Sequence, residues 1–249
     1  MFRTLPADTS EDSLLGGRVR FRQPSGGYRV NVDSLLLADF ASVGRPARLA
    51  ADLGAGVGLV SLLLAHHGAA RELVLIEREP EFAKVARENL AALSVPSLVH
   101  EFDVSDGELS KQLGGRVDLV VSNPPFFNHE EHRPPEDELR ERARLGELQP
   151  FVDASAALLS GPKARAVFVY PARSLTQLFA AAERAGLVPK RLRMVHSFLE
   201  RPARLALIEL RRARPGGLVV EAPFVEWSAP GVATPEMNAL SLGSVSEKK

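Results

Sequence analysis

From Ala47 onward the chain alternates between short apolar runs and longer segments, and this alternation constrains the fold more than any other feature of the sequence. Short runs rich in valine and leucine predict buried strands, and the segments between them predict helices. The expected strands are 49–53, 72–76, 98–102, 117–121, 164–169, 187–195, 204–210 and 218–221, and the expected helices are 58–66, 80–93, 151–159 and 174–185. Such an alternation predicts an α/β fold, in which a parallel sheet carries helices on both faces.

The two ends of the chain follow a different pattern. Apolar residues alternate with arginines on either side of Pro24-Ser25-Gly26-Gly27, which predicts a β-hairpin with its turn at these four residues. Asn31 or Asp33 is placed to cap a helix over residues 34–41. We expect one domain over residues 13–227, made of the hairpin and helix (13–46) and the α/β core (47–227). Residues 1–12 are expected to be disordered and residues 228–249 to form a flexible tail.

Composition excludes several classes of protein. The chain has 249 residues, 45% of them hydrophobic, so it can bury a sizeable core. It has no cysteine, which excludes disulfides, thiolate zinc sites and a cysteine nucleophile. No apolar run approaches the ~20 residues of a membrane-spanning helix, and the first twelve residues do not resemble a signal peptide. We therefore expect a soluble, cytoplasmic protein, monomeric or weakly dimeric, that neither binds a metal nor contacts a membrane.

A glycine-rich turn follows the first core strand. It reads Asp52-Leu53-Gly54-Ala55-Gly56-Val57-Gly58, and its glycines let the backbone approach a ligand at a helix N-terminus. Leu59 stands where the dinucleotide fingerprint requires a third glycine, which disfavours an oxidoreductase. Glu77 and Asp103 follow the next two strands, where carboxylates can accept hydrogen bonds from ribose hydroxyls and from an adenine amino group. Each acid alone is compatible with a solvated loop, but three at successive strand ends indicate a nucleoside site.

The motif Ser122-Asn123-Pro124-Pro125-Phe126-Phe127 ends the strand at 117–121. Asn123 offers a side-chain carbonyl, Pro124 a backbone carbonyl held stiff by the next ring, and Phe126 a flat apolar face. Together these groups could hold an exocyclic amino group of a planar base while its nitrogen attacks an electrophile. Because Asn-Pro is also a common turn signal, a plain strand-to-loop turn is the alternative interpretation.

In combination, these motifs resemble the Rossmann-like methyltransferases that use S-adenosylmethionine. The resemblance implies a seven-stranded sheet, and it implies that Asp52, Gly54, Gly56 and Gly58 surround the methionine moiety. Glu77 would bind the ribose and Asp103 the adenine. Asn123, Pro124, Pro125 and Phe126 would be the catalytic group, with Asn123 also touching the cofactor. The target in this class is adenine N6, guanine N2 or glutamine N5.

A narrower resemblance is to the tRNA adenine-N6 methyltransferases that modify A37 of a valine tRNA. It rests on residues 28–38, on Ser122 to Phe127, on Arg142-Ala143-Arg144 and on residues 192–196. It implies that the segment from Tyr28 to Asp33 covers the cofactor. Phe126 replaces the tyrosine usual in well-known members, and residues after Trp227 match little of the family. The charged segment 128–147 is expected to be a functional loop or partly disordered.

Charge is unevenly distributed along a chain whose net charge is zero. Residues 71–160 hold 10 Lys and Arg against 18 Asp and Glu, whereas residues 161–215 hold 12 against 3. This asymmetry is compatible with a cofactor half and a half that faces RNA, although arginines also solvate helix faces. The expected contacts with RNA are made by Phe127, Arg142, Arg144, Arg191 and Arg193, and further arginines (Arg201, Arg204, Arg211 and Arg212) would meet its phosphates.

The sequence thus predicts methyl transfer to an exocyclic amino group of tRNA. Two other methyltransferase activities remain open: modification of guanine N2 in ribosomal RNA, and of glutamine N5 in a translation factor. An alternative of another class is an RNA-binding module that kept the fold without its catalysis.

Overall fold

A computed structural model of the chain describes residues 9–25, 32–125 and 137–243, the side chains of 137–147 excepted. An N-terminal hairpin precedes a three-layer core. The hairpin strands are β1 (Thr9–Leu14) and β2 (Val19–Pro24). The main strands of the core are β3 (Ala47–Leu53), β4 (Ala70–Ile76), β5 (Ser97–His100), β6 (Leu119–Ser122), β7 (Arg165–Pro171), β8 (Val188–His196) and β9 (Leu205–Arg211). Short strands follow: β10 (Val219–Val220), β11 (Phe224–Val225), β12 (Trp227–Ala229) and β13 (Val232–Ala233).

Helices cover both faces of the sheet. They are α1 (Val32–Ala41), α2 (Leu59–His66), α3 (Pro80–Leu90), α4 (Gly107–Leu113), α5 (Asp137–Leu158), α6 (Leu175–Arg184) and α7 (Pro235–Leu242). One apolar core lies between the sheet and α1, α2 and α3, and a second lies between the sheet and α4, α5 and α6. The central strands are buried on both sides, which explains why they are continuous apolar runs in the sequence. None of the helices within the described ranges is long and apolar enough to cross a membrane.

The sheet order is β10-β8-β9-β7-β6-β3-β4-β5, and β11 also pairs with β8. The chain moves outward from β3 to β4 and β5, then returns to the other side of β3 as β6. The strand order therefore reverses between β3 and β6. Open α/β sheets bind ligands at such a switch point, beyond the carboxyl ends of the strands.

The predicted Rossmann-like α/β architecture is confirmed, with seven main strands and two two-residue strands at the β8 edge. One strand departs from the parallel pattern that the alternation predicts, because β9 runs antiparallel between β7 and β8. Only residues 197–204 join β8 to β9, and this connection has no crossover helix. A connection this short requires antiparallel neighbours.

Four further boundaries differ from the sequence predictions. The turn of the observed hairpin lies at residues 15–18, where Leu15, Gly16 and Gly17 adopt positive φ, and Gly26 and Gly27 of the predicted turn lie outside the described residues. Residues 9–12 belong to β1, so they are not disordered. Residues 137–147 extend α5, so this part of the charged segment is helical. The expected flexible tail contains β12, β13 and α7, and the Thr234 side chain caps α7 by accepting a hydrogen bond from the Met237 amide at 3.1 Å.

Candidate active site

A cavity of about 640 Å³ lies at the switch point between β3 and β6. This volume falls within the ~300–1,000 Å³ of small-molecule sites. Residues that follow β3, β4, β5 and β6 line it, together with the end of β2 and the middle of α5. The cavity therefore gathers all three predicted strand-end acids (Asp52, Glu77 and Asp103) and Asn123 at one edge of the sheet.

The glycine turn between β3 and α2 forms the floor of the cavity. Gly54, Gly56 and Gly58 all have positive φ (71°, 55° and 80°), a conformation that side chains disfavour. A Cβ on Gly54 would lie 3.0 Å from the Phe151 ring, whereas one on Gly56 would meet nothing within 4 Å. Gly58 does not line the cavity. A Cβ added to Gly58 would lie 3.1 Å from the Leu75 side chain. Gly54 and Gly56 thus border the ligand space, while Gly58 serves the packing of the turn.

Asp52 is the most deeply buried acid of the site, with 3% of its surface exposed. The Ser61 hydroxyl donates a hydrogen bond to its carboxylate at 2.8 Å. Burial raises the pKa of Asp52 from its ordinary 3.8 to about 7, and the hydrogen bonds from Ser61 oppose this rise only in part. None of the described residues places a cation against this carboxylate, which favours a ligand that carries positive charge.

Glu77 is fixed by the backbone on both sides. One carboxylate oxygen accepts a hydrogen bond from the Gly56 amide at 2.7 Å, and the other accepts one from the Glu79 amide at 2.9 Å. Burial raises the pKa of Glu77 as well, against the effect of these two amides. The bond to Gly56 ties the end of β4 to the glycine turn, so the position of the carboxylate and the shape of the turn depend on each other.

Asp103 lies at the more open end of the cavity, after Phe102. It accepts hydrogen bonds from the Ser105 hydroxyl at 2.6 Å and the Ser105 amide at 2.9 Å, which lower the pKa of Asp103. Arg78 adds an exposed ion pair at 3.4 Å. Phe102 stacks on His100 with 5.2 Å between ring centroids and also lines the cavity. An acceptor beside an aromatic ring suits a planar base that carries an amino group.

Asn123 follows β6 directly, and its side-chain oxygen is buried. This Oδ1 atom accepts no hydrogen bond from any residue within the described ranges. Ser122 anchors the preceding turn, because its hydroxyl donates to the Leu53 carbonyl at 2.9 Å. Pro124 and Pro125 line the cavity beside Asn123. A buried carbonyl oxygen with no donor is costly to maintain and is expected where a ligand supplies the donor.

Several residues of the site escaped the sequence analysis. Gln23, Phe82, Pro150 and Phe151 line the cavity, yet they come from three distant segments of the sequence and lie outside any motif. Asn89 holds the hairpin in place. Its amide accepts from the Arg22 backbone N–H at 2.7 Å and donates to the Arg22 carbonyl at 2.9 Å and the Val57 carbonyl at 2.8 Å. No local signal distinguishes Asn89 from other polar helix residues, because its partners come from two distant segments.

Other predicted site residues lie elsewhere. The Asp33 carboxylate is outside the cavity lining and accepts a hydrogen bond from Arg204 at 2.9 Å. Arg191 pairs with Glu209 and Glu221 and stacks on Phe40. Arg193 has only 10% of its side chain exposed and pairs with Glu236. Arg191, Arg193 and Arg204 thus pair with acids of the fold, and their contact with RNA stays a prediction. Arg211 pairs with Glu209, and Arg212 donates to the Ala156 carbonyl.

The remaining predicted residues fall outside what the structure describes. Tyr28, Phe126 and Phe127 lie outside the described ranges. Arg142 and Arg144 belong to the α5 segment whose side chains are not described. Within the described residues, no group of three or more His, Asp or Glu could hold a metal ion.

The cavity fits S-adenosylmethionine, the cofactor that the sequence resemblance implies. Buried acids face a ligand with a sulfonium and an ammonium group, and the open space at Gly56 leaves room beside the backbone. Glu77 and Asp103 offer acceptors along one side of the cavity, and Phe102 offers an aromatic face. The Asn123 oxygen, which receives no hydrogen bond from the described part of the chain, lies at the same cavity as these acids.

Comparison with known proteins agrees with this geometry. Residues 29–139 match the family described as Methyltransferase small domain. A tRNA1(Val) (adenine(37)-N6)-methyltransferase from Porphyromonas gingivalis is 33% identical over 193 residues, which cover 74% of this chain and 75% of that protein. The protein of the same name from Flavobacterium johnsoniae is 26% identical over 82% of this chain and 87% of its own length. A release factor glutamine methyltransferase from Mycolicibacterium smegmatis is 37% identical over 119 residues, covering 47% of this chain and 36% of that protein.

Solved structures share the fold at lower identity. A predicted O-methyltransferase from Agrobacterium tumefaciens superposes with a TM-score of 0.67 at 23% identity, covering 85% of this chain and 96% of that one. TYW2 from M. jannaschii, solved in complex with AdoMet, gives a TM-score of 0.56 at 15% identity, covering 82% and 87%. Sequence, fold and cavity agree, and the chain belongs to the tRNA1(Val) (adenine(37)-N6)-methyltransferase family of Rossmann-like, S-adenosylmethionine-dependent methyltransferases.

Proposed function

We propose that this protein methylates N6 of an adenine in tRNA, at a position equivalent to A37 of a valine tRNA. The observation that carries the proposal is the buried Asn123 oxygen, which lies in the cavity without a donor from the described residues. An exocyclic amino group would supply the missing N–H. The names of the relatives favour adenine N6 as the source of that group.

The acids at the strand ends would hold the cofactor. Asp52 and Glu77 lie at the glycine turn, where negative charge favours the cationic methionine moiety and carboxylate oxygens accept from ribose hydroxyls. Asp103 and Phe102 would hold the adenine moiety. When bound, the cofactor supplies an electrophilic methyl group on its sulfonium sulfur.

Asn123 and Pro124 would orient the target nitrogen. The Asn123 Oδ1 atom and the Pro124 carbonyl each accept one N–H of the amino group, which fixes the direction of its lone pair. Both carbonyls also stabilise positive charge as it develops on this nitrogen. The methylated nitrogen then releases its surplus proton to water, so the step does not require a strong general base. The base must be unpaired or flipped out, because a paired amino group cannot reach this cavity.

Replacement of Asn123 by Ala tests the proposal. The variant should lose at least about 100-fold in kcat, as expected when one pre-organised polar contact to the reacting group is removed. Its affinity for S-adenosylmethionine should stay within about threefold of wild type, since the acids that hold the cofactor are unchanged. Asn238→Ala is the matched control, because Asn238 is exposed on α7 and does not line the cavity.

The assay measures transfer of labelled methyl groups to tRNA, followed by nucleoside analysis, and cofactor affinity by calorimetry. N6-methyladenine in tRNA from the wild type and none from Asn123→Ala would support the proposal. Equal losses of turnover and cofactor affinity in Asn123→Ala would refute the assigned role of this residue. No label in tRNA from the wild-type protein would refute the substrate.

A second candidate is methylation of glutamine N5 in a release factor, favoured by the 37% identity to a release factor glutamine methyltransferase over 119 residues. A side-chain amide presents the same N–H groups to Asn123 and Pro124. Label in a purified release factor, and none in tRNA, would establish this alternative.

A tRNA substrate would in turn place the protein in the cytoplasm, and we propose that it acts there as a monomer or weak homodimer.

A further inference from the structure

The connection between β8 and β9 lies at the same edge of the sheet as the active site. Ser122 of β6 pairs with Phe168 of β7, and β7 continues for three more residues to Pro171, which pairs with Leu205 at the start of β9. Leu205 pairs in turn with Val195 near the end of β8. With about 3.3 Å per residue and about 4.8 Å per strand, the connection begins roughly 10 Å farther out than Asn123 and roughly 14 Å to its side.

Hydrogen bonds hold this connection in one shape. The His196 ring donates through Nδ1 to the Arg201 carbonyl at 2.8 Å, and the Arg201 amide donates to the Phe198 carbonyl at 3.0 Å. The Trp227 amide donates to the Ser197 carbonyl at 3.0 Å, which braces the connection from the C-terminal segment. The side chains on its outer face are therefore presented on a fixed backbone, which reduces the entropy lost when a partner binds.

The outer face combines apolar and cationic groups. Leu199 is 61% exposed, and the Arg201 guanidinium lies 5.1 Å from the centroid of the Phe198 ring. Arg173 is exposed just beyond β7, next to the base of the connection, where the Ala172 amide donates to the Arg204 carbonyl. Neither Arg173 nor Arg201 forms an ion pair with a residue in the described part of the chain, in contrast to Arg204.

We propose that Arg173, Phe198, Leu199 and Arg201, here named the β8–β9 surface, bind unpaired RNA nucleotides that flank the target base. The proposal rests on the function proposed above. An aromatic ring with an arginine plane beside it is a stacking platform for unpaired bases, and free arginines contact phosphates. This surface replaces the internal arginines Arg191 and Arg193 as the RNA contact. Its distance from Asn123 suits nucleotides next to a flipped adenine, not the adenine itself.

The test compares the affinities of single variants for a valine tRNA transcript. Fluorescence anisotropy measures these affinities in the presence of S-adenosylhomocysteine. Phe198→Ala should weaken binding about tenfold through lost stacking, with the salt dependence unchanged. Arg201→Ala should weaken binding and reduce the slope of log K against log salt by about one. Arg45→Ala is the matched control; Arg45 is exposed just before β3, at the opposite edge of the sheet, and should change affinity less than about twofold.

Two further measurements separate the surface from the rest of the site. Affinity for S-adenosylmethionine and the melting temperature should match wild type in each variant. In turnover assays the loss should fall on KM for tRNA, with KM for S-adenosylmethionine unchanged. Replacing exposed Glu200 by Gln should strengthen binding slightly, because it removes the acid between Leu199 and Arg201.

Wild-type affinity in both Phe198→Ala and Arg201→Ala would overturn the surface, even if the protein methylates tRNA. Conversely, the wild-type protein could bind the transcript yet form no N6-methyladenine. The proposed function would then fail, and a selective loss of binding in the two variants would still support the surface. Failure of the wild-type protein to bind either tRNA or ribosomal RNA would overturn the surface outright.

Discussion

Replacement of Asp52 by Asn is expected to stabilise the free protein at neutral pH while it weakens cofactor binding. Burial raises the pKa of Asp52 from 3.8 to about 7. At pH values between 3.8 and about 7, Asp52 of the folded protein keeps a proton that Asp52 of the unfolded chain has released. The free energy of unfolding therefore falls as pH rises through this window, by about 1.4 kcal/mol per pH unit, and this contribution becomes constant above about pH 7.

The magnitude follows from the part of the window that can be measured. Between pH 5 and pH 8, Asp52 should cost the wild-type protein about 3 kcal/mol, the product of about two pH units and 1.4 kcal/mol. The side-chain amide of the Asp52→Asn variant cannot ionise and keeps an oxygen for the Ser61 hydroxyl, so this variant should lack the cost. Other carboxylates titrate alike in both proteins and largely cancel in the comparison. Glu77 is the carboxylate whose charge contributes to the shift of Asp52, and its contribution is the smallest of the causes.

Urea unfolding of both proteins without cofactor, at pH 5 and pH 8, checks this reasoning. The stability advantage of Asp52→Asn over wild type should grow by about 3 kcal/mol between the two pH values. Ser61→Ala should extend the falling part of the curve to higher pH, because it removes the side-chain hydrogen bond that lowers the pKa of Asp52. An advantage that is equal at pH 5 and pH 8 would refute the raised pKa. Calorimetry at pH 8 should show that Asp52→Asn binds S-adenosylmethionine at least tenfold more weakly than wild type, a difference of about 1.4 kcal/mol in binding free energy.

Three further substitutions test contacts around the site. Arg204→Met should lower the free energy of unfolding by about 3–5 kcal/mol, because it removes the cation that pairs with two buried carboxylates, Asp33 and Glu226. Chemical unfolding measures this change, and a loss under 1 kcal/mol would contradict the prediction. Asn89→Leu should lower the free energy of unfolding by about 2–3 kcal/mol through three lost hydrogen bonds. It should also weaken S-adenosylmethionine binding in calorimetry, and normal cofactor affinity in the folded variant would show that the hairpin does not shape the cavity. Gly58→Ala should lower the melting temperature through its positive φ and the 3.1 Å approach to Leu75, whereas a thermal melt like wild type would refute the strain.

The acids of the site illustrate a conflict between stability and ligand binding. Asp52 and Glu77 are buried, and burial raises the pKa of both. Because burial disfavours their charged forms, ionisation of either residue lowers the stability of the fold, yet both face the cavity. Such destabilised groups are expected where the ligand supplies the missing charge or donors.

Charge counting illustrates the opposite lesson. The excess of arginine in residues 161–215 suggested a surface for RNA. A single buried acid, Glu209, lies within ion-pair distance of three of these arginines, namely Arg165, Arg191 and Arg211. These arginines neutralise a buried acid in β9 and hold neighbouring strands. A sum over a sequence window cannot distinguish such internal pairs from exposed charges, because the partners are set by strand pairing.

The sequence by itself determined the order of the core strands and helices and most of the cavity acids. Buried parallel strands must be short apolar runs, and a polar residue at or just beyond the carboxyl end of such a run must lie at the ligand edge, as Asp52, Glu77 and Asn123 do. Local chemistry was sufficient there because each residue's place follows from the strand that precedes it.

Only the tertiary structure decided the rest. It brought Gln23 and Phe151 to the cavity, gave Asn89 its three hydrogen bonds, and paired Asp33 with Arg204 across 171 positions of the chain. It also placed Phe198 and Arg201 at the ligand edge, by running β9 antiparallel. These contacts join segments that are distant in sequence, so their geometry depends on how the whole sheet assembles and not on any local pattern of residues.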